Sequence, residues 1–260
     1  MQAFAENHPH AWLAKKWCDY FQCQKERLLL IPWEQGPELA AAEKTLIGAF
    51  LAEFQQGEGQ EGGHFYRCVR TYAEATGAWD YLEAHRLFME EEKRHARDLG
   101  RFLDLAAIPR LTRQSWLSRG FCWFGSRGGL ESTLVVILMA EVIALVYYRV
   151  VRNLTGSSVL RRLCDQILRD EKSHVRFQTE QLAHLRLGRS RWRLALAHAF
   201  DAAMFTGAVL ACWMGHRHVF RAGGYGFRGL WSLARTKWRS AGHVKSAANL
   251  SFNHGLLPVG

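Results

Sequence analysis

Two short segments of this chain spell nearly the same thing. Glu92-Lys93-Arg94-His95-Ala96-Arg97 returns seventy-nine residues later as Glu171-Lys172-Ser173-His174-Val175-Arg176. Each is Glu-x-x-His, which on a helix sets a carboxylate and an imidazole one turn apart on one face. Thr76-Gly77 and Thr155-Gly156 lie at the same offset, and each Gly falls fifteen residues before its Glu. The repeated unit is therefore predicted to be a helical hairpin that turns at Thr-Gly and carries its chemistry on the second arm. Two such hairpins with inward Glu-x-x-His motifs are the sequence form of a dinuclear metal site in a four-helix bundle.

The remaining ligands belong on the first arms. In an antiparallel pair, a residue fifteen before the turn lies level with one fifteen after it. Counting back from Gly156 gives Glu141, alone in the apolar run Leu134 to Val151. A carboxylate there costs several kcal/mol unless it is paired or metal-bound. Counting back from Gly77 gives Gly62, next to Glu61, with Glu58 three residues further on the same face. Level-matching favours Glu61 and keeps Glu58 as its competitor. The expected set is Glu61, Glu92, His95, Glu141, Glu171 and His174. Four carboxylates and two imidazoles suit iron or manganese and are too oxygen-rich for a structural zinc.

With these residues in place the chain resembles the ferritin-like superfamily: rubrerythrin, bacterioferritin and the carboxylate-bridged diiron oxygenases. The likeness spans roughly residues 38 to 187 and follows E…ExxH…E…ExxH. It implies two iron ions, with manganese as the other metal such sites take, and six residues that are both ligands and catalytic groups. It also implies that Asp170, just before Glu171, holds His95, and that Glu91, just before Glu92, holds His174. Two departures matter. Rubrerythrin's electron-transfer module needs paired C-x-x-C, and this chain has none, so electrons would come from an external ferredoxin or reductase. Ribonucleotide reductase small subunits keep a radical tyrosine seven residues after the first ExxH glutamate; here that position is Leu99.

The 260 residues predict an all-α chain in three parts. Residues 1–37 hold an amphipathic helix near 11–29, with Trp12, Trp17, Tyr20 and Phe21 on its apolar side, and a linker that ends at Pro37. Residues 38–188 form the four-helix bundle, with helices near 38–75, 79–105, 130–153 and 158–187. The glycine-rich stretch 57–63 reads as close packing or a bulge beside the metals, with a plain loop as the alternative. The crossover 106–129, with Trp116, Phe121, Trp123 and Phe124, links the two hairpins. Residues 189–260 add an apolar fifth helix near 191–220, a segment alternating aromatic and basic residues over 227–238, and a loose tail.

Net charge is +10, and from Arg186 onward Asp201 is the only acid among eleven Lys and Arg. Such a charge suits nucleic acid, an anionic membrane surface or an acidic electron donor; the surface would be met through 220–238, and no specific nucleic-acid partner is expected. The competing reading has the aromatics close the end of the bundle. The fifth helix should pack on the bundle or pair two copies as a homodimer. The six cysteines are scattered, which suits buried thiols in a reducing compartment. No signal peptide is evident and no apolar run spans a membrane without charge. The expected location is cytoplasmic or peripheral to a membrane.

Three functions compete. The favoured one is a diiron O2-activating oxidoreductase, of oxygenase or oxidase type, on an apolar or lipid-like substrate. The second is rubrerythrin- or bacterioferritin-like peroxide reduction or iron oxidation. The third, a non-catalytic membrane or nucleic-acid binding protein, leaves the buried carboxylates unexplained.

Overall fold

A computed structural model describes residues 9–59, 62–112 and 128–254, with side chains from 14 to 240 within those ranges. Among the described residues all regular structure is helical. The order is α1 Pro9–Gln24, a 3-10 turn Trp33–Gln35, α2 Ala41–Glu58, α3 Gly63–Thr76, α4 Trp79–Leu105, α5 Leu130–Leu154, α6 Ser158–Leu185, α7 Arg191–Ala222 and α8 Phe227–His254. The crossover aromatics Trp116, Phe121, Trp123 and Phe124 lie outside the described residues.

α5 sits at the centre, packed on α6, α7, α8 and α3, which is why its sequence is apolar on every side. A helix hydrophobic all round belongs in a core or a membrane, and most of this one is buried within the protein. α4 is the second organising element, with α1, α2, α3 and α6 around it. α4 and α6 run antiparallel, as two crossed pairs show: His95 with Asp170 and Glu91 with His174.

The two Thr-Gly turns differ in detail. Gly77 caps α3 in the left-handed region (φ 75°), where a side chain would be strained. Gly156 follows an extended Thr155, and Ser157 then caps α6 by accepting from the Leu160 N–H at 3.1 Å. Glu43 of α2 holds this second turn through the Thr155 hydroxyl and the Gly156 N–H.

The expected single helix over 38–75 is two helices. α2 ends at Glu58 and α3 begins at Gly63, with Gly62 in the left-handed region (φ 56°). Four glycines at 57, 59, 62 and 63 explain the break, since each weakens a helix by about 1 kcal/mol against Ala. A Cβ on Gly62 would also lie 2.6 Å from Met89 Cε. The terminal parts are not separate from the core. Trp17 and Phe21 of α1 are buried in it, and the following linker runs along α6, where Gln166 Oε1 accepts from the Leu29 N–H at 2.7 Å. The stretch read as a loose tail is helical as far as His254.

α7 packs against α5, α2 and α8. Its inner face carries Asp201, whose carboxylate accepts two hydrogen bonds from buried Arg186, at 2.7 and 2.8 Å. Glu131 accepts from Arg186 Nε at 2.7 Å. Asp201→Ala should therefore lower the unfolding free energy by about 3 kcal/mol, the low end for one partner of a buried pair, because Glu131 still serves the guanidinium. Urea denaturation measures this; a loss below about 1 kcal/mol would mean apolar contacts alone hold α7.

Candidate metal centre

The four helices α2, α4, α5 and α6 each send a carboxylate to one point in the core. Glu58 comes from the last turn of α2, Glu92 from α4, Glu141 from α5 and Glu171 from α6. His95 and His174 join them, one turn beyond Glu92 and Glu171. Ligand atoms of Glu58, Glu92, His95 and Glu171 lie within 4.8 Å of one another, and so do those of Glu92, Glu141, Glu171 and His174. The two groups share Glu92 and Glu171. These two four-residue groups, with two carboxylates in common, could hold a metal ion.

Of the two candidates on the first arm, Glu58 reaches this point. Glu61 lies outside the described residues. The helix break after Glu58 explains why counting in register from Gly77 does not arrive at it: α3 alone keeps that register. The other five residues named from the sequence, Glu92, His95, Glu141, Glu171 and His174, are all in the cluster.

The imidazoles are aimed by their neighbours. His95 Nε2 is 3.1 Å from Asp170 Oδ2, and His174 Nε2 is 2.9 Å from Glu91 Oε2. Since a carboxylate accepts, each Nε2 carries the proton and each Nδ1 is turned inward. His174 Nδ1 is 2.8 Å from Glu92 Oε1 and 3.4 Å from Glu171 Oε2, while His95 Nδ1 is 3.5 Å from Glu171 Oε1. Such outer partners fix tautomer and ring orientation in metal sites. Each helix thus supplies a motif and also the acid that orients the opposite motif's imidazole.

The two sides are not equal. Asp170 also accepts from Arg94 at 2.6 Å and from Gln166 at 2.9 and 2.8 Å. Glu91 has a second oxygen, Oε1, that is buried without a hydrogen-bond partner. Tyr148 donates to Glu58 Oε1 at 2.9 Å. Arg94 carries no sign of this role in the sequence, because Ser173 replaces it in the second motif, and Tyr148 stands there among four tyrosines near the expected site, with Tyr66, Tyr72 and Tyr147, none at a diagnostic offset. Its one faint signal is to lie two turns after Glu141 on the same face.

Burial sets the electrostatics. Glu171 and His174 are fully buried, and Phe21, Phe88 and Phe177 pack around the His174 side, with Phe88 at 4.8 Å. Burial, with the charges of Glu92 and Glu171 beside them, pushes Glu58 and Glu141 well above the ordinary carboxylate range. Burial alone would raise Glu171 too, but hydrogen bonds from Glu141 and the charge of His174 hold it well below that range. Burial opposes protonation of His95, yet its hydrogen bonds to Asp170 and Glu171 and the nearby glutamates push it up to about 10. His174 is raised in the same way by Glu92, Glu171 and Glu91.

The residues fit a metal pair on two independent grounds. Inward atoms of Glu92, His95, Glu171 and His174 are buried and crowd one another, His174 Nδ1 lying 2.8 Å from Glu92 Oε1 and His95 Nδ1 3.5 Å from Glu171 Oε1, and a cluster of buried polar atoms of this kind calls for a partner. The donors are carboxylate oxygens with two imidazole nitrogens, a set able to bind a divalent metal ion.

Two outcomes follow. Metal content should be about two ions per chain in the wild type; Glu58→Gln should lower it and Glu61→Gln should leave it unchanged, as read by elemental analysis. The reverse order would place Glu61 at the cluster. Without metal, burial and the neighbouring carboxylates favour the protonated forms of Glu58 and Glu141, and against burial the neighbouring carboxylates favour those of His95 and His174; metal competes with those protons. Loading should release protons, and affinity should fall as pH falls. A pH-stat titration that records no proton release would contradict this electrostatic account.

The chain matches no protein-family model, no curated protein and no solved structure, so the reading of this cluster rests on its own geometry.

Proposed function

We propose that the protein is a diiron oxidoreductase of the ferritin-like four-helix type, activating O2 for oxidation of an apolar or lipid-like substrate. The bundle in this reading is α2 with α3, α4, α5 and α6. The observation that carries it is the sharing of Glu92 and Glu171 between two donor groups in a buried, aromatic-walled core. Glu58, Glu92, His95, Glu141, Glu171 and His174 would hold the two ions. When bound and reduced, the metal pair supplies two electrons to O2, and an external donor restores them.

The chain's own residues have definite tasks. Asp170 and Glu91 keep the Nε2 protons of His95 and His174, so each Nδ1 stays a ligand. Tyr148 orients Glu58 by donating to Oε1. Phe21, Phe88 and Phe177 keep water from the His174 side. Exclusion of water favours reaction at a carbon over release of reduced oxygen species. The peroxide- or iron-handling reading draws on the same donor set and gains nothing from this aromatic wall.

The test is single-turnover oxidation. Iron-loaded, reduced protein is mixed with O2 beside a lipid extract, and the products are sought by mass spectrometry. An oxygenated or desaturated lipid-like product that vanishes in Glu141→Ala supports the reading. Hydrogen peroxide as the sole fate of O2 across all substrates, or rapid turnover of added peroxide, sinks it in favour of the alternative.

A further inference from the structure

α7 has two apolar faces, and the bundle covers only one. Asp201, Phe205, Ala208, Val209 and Cys212 point inward and are buried. At 100° per residue, Trp192, Leu196, Phe200, Leu210 and Met214 fall on the opposite side, within one stripe. They are exposed, Trp192 at 61%, Leu196 at 62% and Met214 at 58%. Ala199, Ala203 and Gly207 fill the same stripe, which runs for about 33 Å at 1.5 Å per residue. It contains no charge.

Charge gathers at its two ends. Exposed Arg191 and Arg193 stand at the start, and exposed Arg217, His218 and Arg221 beyond the far end. The nearby acids are already engaged: Glu131 with Arg186 and Arg189, and Glu53 with His216 at 3.0 Å. A cleft of about 770 Å³ opens beside the first end, lined by Arg189, Arg193, Leu196 and Phe200 among others.

We propose that the outer face of α7 seats the protein on an anionic bilayer surface, with the apolar stripe entering the acyl boundary and the two cationic collars meeting lipid phosphates. An apolar helix face with basic flanks is the pattern of interfacial helices, and each cation near such a surface adds attraction of about 1 kcal/mol. The helix lies along the surface rather than crossing it, because its inner face is fixed to the bundle by the Asp201–Arg186 pair. A second copy of the chain is disfavoured as the occupant. Pairing the stripes antiparallel sets Arg191 of one copy near Arg217 of the other, pairing them parallel stacks each collar on itself, and the stripe offers no carboxylate to either. The aromatics of α8 turn inward instead: Trp231 and Trp238 pack on Phe205, and Phe227 on Trp213. The proposed contact surface is accordingly α7. This inference does not depend on the metal centre.

Flotation of the full chain with phosphatidylcholine vesicles, with and without phosphatidylglycerol, tests it in metal-free and metal-loaded protein alike. The wild type should float with the anionic vesicles and less so at high salt. Leu196→Glu/Leu210→Glu, both exposed and so neutral for folding by circular dichroism, should reduce binding by at least roughly tenfold, given the apolar area each leucine loses. Absence of flotation overturns the proposal. So does undiminished flotation of the double variant, or a wild-type dimer that the same substitutions dissociate without any vesicle binding, which would make a second copy the occupant.

Discussion

Four carboxylates converge in the interior of a helical protein, and the rest of the arrangement answers that problem. An ionised carboxylate taken out of water costs several kcal/mol unless a counter-charge meets it. Here Glu58, Glu92, Glu141 and Glu171 surround one another, so each worsens the position of the next. Protons relieve this in part, and His95 and His174 supply the two positive charges available within the core. The lone pairs still turned toward a common centre need cations of higher charge. The buried polar groups are thus better explained as a prepared receptor than as a stabilising network.

The receptor is stiff where it must be. The His95–Asp170 and His174–Glu91 contacts tie α4 to α6 twice, at equal levels on an antiparallel pair. Arg94 and Gln166 fasten the Asp170 side further, while Glu91 keeps a free buried oxygen. The His95 side is accordingly the more rigid of the two. Glu58 stands apart, since it ends α2 beside a glycine-rich break and depends on Tyr148 for its orientation.

Much of this was legible in the sequence because a helix has a fixed period. The Glu-x-x-His pairs, the turn positions and the lone Glu141 in an apolar run translate directly into inward faces, and α4, α5 and α7 begin where their spacing places them. Register counting gives way at α2 and α3, because it assumes one unbroken helix from 38 to 75 and Gly57 to Gly63 do not sustain one. Glu58 joins the cluster from the end of α2, and Glu61 falls outside the described residues. Arg94 was hidden because its role depends on an acid 76 residues away. The direction of the α8 aromatics was also hidden, since an aromatic stripe looks the same whether it faces a membrane or Phe205.

The central claim is that the cluster holds two adjacent metal ions bridged by Glu92 and Glu171. The most direct measurement is an anomalous difference map from crystals loaded with ferrous or manganous ion. The account predicts two peaks about 3.5–4 Å apart, the spacing of dinuclear centres, with Glu92 and Glu171 lying between them. A single peak, or none within reach of those two carboxylates, would contradict it.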